Sequence, residues 1–349
     1  MEQLLAAYGM RPAETTVQPF GSGLINSTWI VASNGHQYIL QKINKAVFTR
    51  PDDIDRNIHA IDHYLTNRHP SYTFITPLPA VNGETLLQYE DEYYRLFKFI
   101  SSTTYVSAPD ASVAFEAARQ FGMFTKFLSG FDANTLEETI PHFHDIDLRY
   151  SQFLRAIEHG NNERIGHSAK LIASLQRHES IVSIYKDIRN DSSFKKRVTH
   201  HDTKISNVLF DENNKGICII DLDTVMPGYF ISDIGDMMRT YLAAATEEET
   251  NFDLIEVRDD FFKAIVEGYL GQMIGELSKQ EVNAFVYSGK FLIYMQALRF
   301  LTDYLNDDVY YGARYELHNF NRARNQLRLL ECLVEKEELY NSIVRKFVG

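Results

Sequence analysis

The chain has 349 residues, 44% of them hydrophobic and 23% charged, which excludes a disordered, collagen-like or coiled-coil protein and predicts two domains or one domain with two lobes. Lys+Arg 35 against Asp+Glu 47 leaves a formal net charge of −12, so a nucleic-acid partner held through its phosphate backbone is not expected. The two cysteines, Cys218 and Cys332, exclude a disulfide framework or a Cys-based zinc site. The opening MEQLLAAYGM carries no secretory signal, and no apolar run approaches the roughly 18 to 20 residues of a membrane helix. The expectation is a cytoplasmic protein with no membrane partner.

In chain order, strand signals come first. Residues 27–32 (STWIVA), 37–43 (QYILQKI) and 92–100 (EYYRLFKFI) are rich in β-branched and aromatic side chains. Asn34-Gly35 predicts a tight hairpin turn between the first two, and Asn82-Gly83 a second turn between 78–81 and 84–88. Residues 51–67 read as a helix, with Pro51 at its start and Ile54, Ile58, Ile61 and Leu65 on one face. Eight of the nine prolines lie at or before Pro141, so long helices belong to the later part of the chain. Residues 110–129 place Val113, Ala117, Phe121 and Phe124 on one face, and helical periodicity continues over 145–158, 168–187, 247–274, 279–306 and 314–346. One interruption, ISNVLF (205–210) and ICIID (217–221) around DENNKG, predicts a hairpin inside the helical part. A small β-rich lobe over 1–101 and a larger, mainly helical lobe over 102–349 follow, with a ligand cleft expected between them.

The chemistry concentrates in His200-His201-Asp202-Thr203-Lys204-Ile205-Ser206-Asn207, followed by Asp221 at the end of the next apolar run. An isolated H-x-D is commonly a loop with a capping Asp. Five matched positions, H-x-D-x-K-x-x-N and a later D, around a hairpin are much rarer. Phosphoryl transfer needs one carboxylate beside the acceptor hydroxyl to take its proton, and an amide oxygen and a second carboxylate to hold Mg²⁺ on the nucleotide phosphates. Asp202 fits the first role. Asn207 and Asp221, brought together by the hairpin, fit the second, and Lys204 can place its ammonium near the transferred phosphate. Asp223, two residues after Asp221, either joins the metal site or caps the Thr224–Gly228 turn. His142, His144, His200 and His201 lack the HExxH or Cys partners of a metal site and read as core or surface residues.

This segment resembles the aminoglycoside phosphotransferase and choline kinase superfamily. HHDTKISNVLFD, ICIIDLDTVMPG and DIGDMMR are similar, more narrowly, to the N-acetylhexosamine 1-kinase family, with GSGLINSTW, QKIN, FHD and LRFLTDYLNDDVYY as weaker flanking matches. That family carries Asn where this chain has His201. The resemblance implies an α+β, protein-kinase-like bilobal fold, ATP and Mg²⁺ as cofactors, and a sugar substrate phosphorylated on its anomeric O1. It makes Gly21, Ser22, Gly23, Asn26 and Thr28 part of a flap over the nucleotide phosphates, with Ile25 touching substrate, although a full G-x-G-x-x-G is absent. The cation that anchors the α- and β-phosphates is either Lys42 or displaced by Gln41 at the aligned position, since adjacent strand residues face opposite sides; Asp55 is the candidate partner of Lys42. Phe99–Ser102 is the expected adenine-binding connector. In D-x-G-D-x-x-R (Asp233, Asp236, Arg239), Asp236 is expected to brace the catalytic loop through backbone hydrogen bonds. Arg299, Asp303, Tyr310 and Tyr311 fall where the family places its sugar pocket; alternatively, Arg299 and Asp303 form an i, i+4 ion pair. A kinase for an aminoglycoside, choline or homoserine is the alternative activity, the first of which calls for carboxylates lining the acceptor cleft. A nucleotide-binding pseudokinase is the non-enzymatic alternative.

Overall fold

The structure is a computed structural model that describes residues 1–21 and 25–349. The first hundred residues contribute α1 (Glu2–Ala7), β1 (Thr15–Pro19), β2 (Ser27–Ser33), β3 (His36–Ile43), α2 (Pro51–Arg68), β4 (Leu87–Tyr89) and β5 (Glu92–Lys98). The strands form one antiparallel sheet in the order β1-β2-β3-β5-β4. Asn34 and Gly35 both have positive φ, 51° and 75°, the backbone that a two-residue hairpin needs and that these two residue types tolerate. Residues 78–81 form no strand, although Leu78 donates to Leu96 at 2.6 Å; the strand after Asn82-Gly83 is confined to β4.

Period-two alternation gives the sheet two unlike faces. Val31, Leu40, Leu87 and Leu96 pack under Leu4 and Leu5 of α1 in a small apolar core. On the opposite face, Gln41 lies directly across from Arg95. Helix α2 begins with Pro51 and the acidic Asp52 and Asp53, and buries Ile54, Ile58, Ile61 and Leu65 against the core of the larger lobe. That apolar stripe ties the front of the chain to the rest.

The larger lobe carries α3 (Ala111–Phe127), α4 (Ile146–His159), α5 (Asn162–Gln176), α6 (Ser180–Asn190), β6 (Arg197–Thr199), β7 (Val208–Phe210), β8 (Gly216–Ile219), β9 (Met226–Gly228), α7 (Phe230–Tyr241), α8 (Asp259–Ile265), α9 (Gly271–Met273), α10 (Lys279–Asn283), α11 (Phe285–Leu305), α12 (His318–Glu335) and α13 (Glu337–Val348). Asp110 caps α3 by accepting from the N–H groups of Ser112 and Val113. The long periodic stretches are subdivided: 168–187 turns at 177–179, 279–306 breaks at Ala284, and 314–346 breaks at Lys336. Residues 247–258 are mostly non-helical, and a π segment at Val266–Leu270 joins α8 to α9. A periodic apolar pattern marks the buried face but does not mark these interruptions. Helix α11 is buried on almost every side and is the axis of this lobe.

Two short ladders frame the site. Strand β6 pairs with β9, and β7 pairs with β8, Val208 facing Ile219. The connector after β5 is anchored by a two-way backbone bridge between Thr103 and Phe210.

Candidate active site

The loop from His200 to Lys204 leaves β6 and enters a single 3-10 turn, Ile205–Asn207, before β7. It is held from several directions. The Asp233 carboxylate of α7 accepts from the backbone N–H of His200 at 3.1 Å and of His201 at 2.8 Å. Thr203 donates its hydroxyl to the Asp233 carbonyl at 2.8 Å, and Tyr241 donates to the Thr203 carbonyl at 2.7 Å. Asn207 Nδ2 donates to the Asp202 carbonyl at 2.9 Å. These bonds fix the backbone on both sides of Asp202. The bracing role thus falls to Asp233, where the resemblance placed it on Asp236; Asp236 instead pairs with Arg239 at 2.9 Å, and Arg239 continues to Glu247 at 3.0 Å. Both carboxylates lie on α7 within a turn of each other, and the position of the loop decides which one it meets.

His201 has φ 65°, an uncommon left-handed backbone for a residue with a side chain. Its ring donates through Nδ1 to the Thr224 carbonyl at 3.1 Å and sits against Gly228, where a Cβ would come within 2.5 Å of Nε2. Burial holds this imidazole neutral, pushed down to about 4. The departure from Asn at this position therefore places a packed, uncharged ring behind the His200–Lys204 loop.

Asp202 is partly open to the cleft and pairs with Lys204 Nζ at 2.9 Å. Burial opposes its ionisation, but the charge and hydrogen bond of Lys204 prevail and hold the carboxyl below its ordinary range. Ile220 donates its N–H to the Asn207 carbonyl at 2.9 Å, so the hairpin returns the chain beside Asn207 one residue before Asp221. Asp221 is itself left-handed, φ 61°, and its side chain is open to the cleft. The surrounding walls, and after them the Asp223 and Asp202 carboxylates, push Asp221 up to about 7. Neither the Asp221 carboxylate nor Asn207 Oδ1 has a hydrogen-bond partner among the described residues.

No group of three or more His, Cys, Asp or Glu side chains among the described residues is arranged to hold a metal alone. Two free oxygen donors still fit Mg²⁺, which takes few protein ligands and completes its shell with water and phosphate oxygens. Asp223 is not a third. Its carboxylate is buried, with one oxygen paired to Arg95 and the other accepting from Asn26 Nδ2 at 2.7 Å. It neither ligates freely nor caps the Thr224–Gly228 turn; it clamps the sheet and the loop before β2 onto the larger lobe. Arg95 completes the clamp by donating to Gln41 Oε1 at 3.0 and 3.2 Å.

Lys42 is not brought to this cluster. It faces the outer side of the sheet, opposite Gln41, and pairs with Glu92 at 3.2 Å. Asp55 does not pair with it either, accepting instead from Thr85 at 2.9 Å. Arg95, which sequence reasoning passed over, lies on the Gln41 side of the sheet and turns its charge to Asp223. Its only signal was a charge inside the apolar run EYYRLFKFI.

Gly21, φ 77°, and Thr28, whose carbonyl accepts from Phe20 N–H at 2.9 Å, border the expected flap; Ser22 and Gly23 lie outside the described residues. Ile25 is exposed, and its carbonyl accepts from Asn44 Nδ2 at 3.2 Å.

At the far end of α11, Asp303 accepts from the N–H groups of Tyr310 at 2.7 Å and Tyr311 at 2.9 Å, and from Asn319 Nδ2 at 3.1 Å. The Arg299–Asp303 ion pair does not form. Asp303 shapes the loop that carries the tyrosines, and Arg299 reaches Gln296 Oε1 at 3.2 Å and Tyr310 OH at 3.4 Å.

The same architecture recurs in solved structures of low sequence identity. A spectinomycin phosphotransferase in complex with ADP and spectinomycin shares 13% identity over 97% of both chains, with a TM-score of 0.62. A microcompartment-associated aminopropanol kinase shares 14% over 97% of both chains, TM-score 0.65. The choline kinase of Cryptosporidium parvum Iowa II shares 14% over 96% of this chain and 94% of its own, TM-score 0.56. These likenesses show the protein-kinase-like bilobal α+β fold. Residues 16–270, spanning the sheet, the His200–Lys204 loop and α7, match the model of the phosphotransferase enzyme family, and the chain belongs to that family.

Proposed function

We propose that this phosphotransferase uses ATP and Mg²⁺ to phosphorylate the anomeric O1 of an N-acetylhexosamine, with lobes 1–101 and 102–349 closing on the nucleotide. The observation that carries the phosphotransfer reading is the Asp202–Lys204 pair on a loop pinned by Asp233 and Asn207, beside the unpartnered oxygens of Asn207 and Asp221. The sugar is carried by the likeness of HHDTKISN, DLDTVMPG and DIGDMMR to N-acetylhexosamine 1-kinases.

Asp202, held ionised by Lys204, accepts the O1 proton as the O1–P bond forms and the bond to the ADP oxygen breaks. An anomeric hydroxyl is more acidic than an ordinary alcohol, so a carboxylate of low proton affinity suffices. Lys204 offsets charge on the transferred phosphoryl group. Asn207 Oδ1 and Asp221 would hold Mg²⁺, which would supply charge neutralisation at the nucleotide's phosphate oxygens. In the small lobe, Arg95 takes the anchoring role first considered for Lys42. Asp303 positions Tyr310 and Tyr311 as an aromatic wall for the apolar face of the sugar.

The test is turnover on a panel of hexosamines, N-acetylhexosamines, hexoses, choline and aminoglycosides, with phosphorus NMR of the product. Phosphate on O6, or turnover confined to choline or aminoglycosides, rejects the anomeric assignment. Asp202→Asn is expected to lower kcat by about 10²- to 10⁴-fold with nucleotide affinity nearly unchanged.

A further inference from the structure

Three consecutive acids, Glu247-Glu248-Glu249, stand in the irregular stretch between α7 and α8. An acidic run on a loop ordinarily sits in water without fixed partners. Here each member is bound. Glu249 Oε1 accepts from the Asn251 N–H at 2.7 Å, a local turn contact. Glu248 meets His318 Nε2 at 2.6 Å. Glu247 joins two arginines from different helices: Arg239 of α7 donates to its Oε2 at 3.0 Å, and Arg322 of α12 donates to its Oε1.

Both arginines lead onward through hydrogen bonds. Arg239 donates to Asp236 at 2.9 and 3.2 Å. One turn earlier on the same helix, Asp233 seats the His200–Lys204 loop. On the other side, Arg322 donates to Asn319 Oδ1 at 3.2 Å. Its guanidinium lies 3.8 Å from the Phe300 ring centroid and 5.4 Å from that of Tyr311. Asn319 donates to Asp303 at 3.1 Å, to Asp308 at 2.9 Å and to the Gly312 carbonyl at 2.9 Å. Asp303 in turn accepts from the Tyr310 and Tyr311 N–H groups.

Contacts therefore run without a gap from the helix that seats the Asp202 loop to the loop that carries the two tyrosines, and Glu247 is the link between the halves. Among the described residues no other carboxylate pairs with an arginine of α7 and an arginine of α12 together. Burial opposes its charge, but Arg239 and then Arg322 hold the carboxyl below its ordinary range. Without that charge Arg239 still has Asp236, whereas Arg322 keeps only Glu248 at 3.4 Å, already shared with His318. A nearly buried guanidinium short of acceptors moves to find them, so the α12 side is the side that shifts.

We propose that Glu247 is a positioning residue for the acceptor. It locks α7 to α12 and so fixes the Tyr310–Tyr311 loop at a set distance from Asp202. Its loss loosens the tyrosine loop and leaves the Asp202 loop in place, because Asp233, Tyr241 and Asn207 hold that loop independently. This rests on the reading of the tyrosine loop as the acceptor wall, and it deepens that reading by naming what ties the wall to the base.

The first measurement needs no substrate: hydrogen exchange by mass spectrometry on Glu247→Gln, which keeps size and removes the charge. Exchange over 308–312 is expected to rise about threefold or more, with 199–204 unchanged. The second is steady-state kinetics on whichever acceptor turns over. Acceptor KM should rise roughly five- to twentyfold, with kcat changed by less than about threefold and KM for ATP by less than about twofold. Glu249→Ala loosens the same stretch without touching either arginine, and it should leave both measurements near normal. Glu247→Asp keeps the charge and loses reach; it should show the same pattern in smaller measure, and it decides the question if Glu247→Gln melts early. Exchange raised only over 243–251, an acceptor KM that does not move, or a Glu249→Ala effect as large as that of Glu247→Gln overturns the proposal. A fall in kcat with KM unchanged overturns it too. Phosphate found away from O1, or on an acceptor other than a sugar, rejects the proposed function while leaving the Glu247 brace standing on the exchange result and on KM for that acceptor.

Discussion

Replacing Arg95 by Met should be among the most damaging single changes outside the catalytic loop. The side chains of Arg95 and Asp223 are 3% and 1% exposed, and they join β5 of the sheet to the turn that follows Asp221. Met fills much of the aliphatic stem but removes the charge, leaving the Asp223 carboxylate buried with Asn26 as its remaining partner. An uncompensated buried charge costs about 3–5 kcal/mol. Against a typical total of about 5–15 kcal/mol, that is enough to lower the melting temperature markedly. The double variant Arg95→Met/Asp223→Asn removes both charges and should recover part of the loss, so the two changes will not add. Urea denaturation of the four proteins measures this coupling directly. A loss below about 1 kcal/mol for Arg95→Met, or additivity within about 0.5 kcal/mol, refutes the clamp. The same variant should weaken nucleotide binding, because Arg95 also draws the Asp221 carboxyl downward.

Lys42→Ala should change stability by no more than about 1 kcal/mol and leave nucleotide affinity near normal, because its partner Glu92 is on the outer face; a large loss of affinity in a binding titration would restore Lys42 to the phosphate site. Asp303→Ala should raise KM for the acceptor more than it lowers kcat, since it frees the 310–311 loop without touching Asp202; equal falls in kcat and kcat/KM would count against that. Asp233 is raised by burial from an ordinary 3.8 to about 7, the two N–H donors opposing. Between those values the folded chain keeps a proton that the unfolded chain releases, so this group's stabilisation is full below pH 4 and is lost as pH rises through 7. Between about pH 5 and pH 8 the loss is of order 3 kcal/mol. Asp233→Asn should flatten that part of a melting-temperature profile, and an unchanged slope in the variant would reject the assignment.

Much of this protein could be read before any fold was known, and the readable parts share a cause. The Asn34-Gly35 turn depends on two residues that accept positive φ, and α2 depends on a repeat of apolar side chains every three or four positions. The meeting of Asn207 with the chain before Asp221 needs only a short hairpin. Each is decided within about twenty residues, where backbone preference and side-chain period act directly. What tertiary structure alone decided was which of two neighbouring candidates faces the cleft. Gln41 and Lys42 differ by one residue on a strand, and the pairing of β3 with β5 turns Gln41 toward Arg95 and Lys42 away. Asp233 and Asp236 share a helix, and the seat of the His200–Lys204 loop on α7 selects the first. Asp223, which the sequence leaves open as a metal ligand or a turn cap, is neither, because Arg95, 128 residues earlier in the chain, takes one of its oxygens. Partners so far apart meet only because whole elements pack, and the lone pairs and charges at the contact then follow from burial: whatever is shut away from water must find its complement wherever packing has put it.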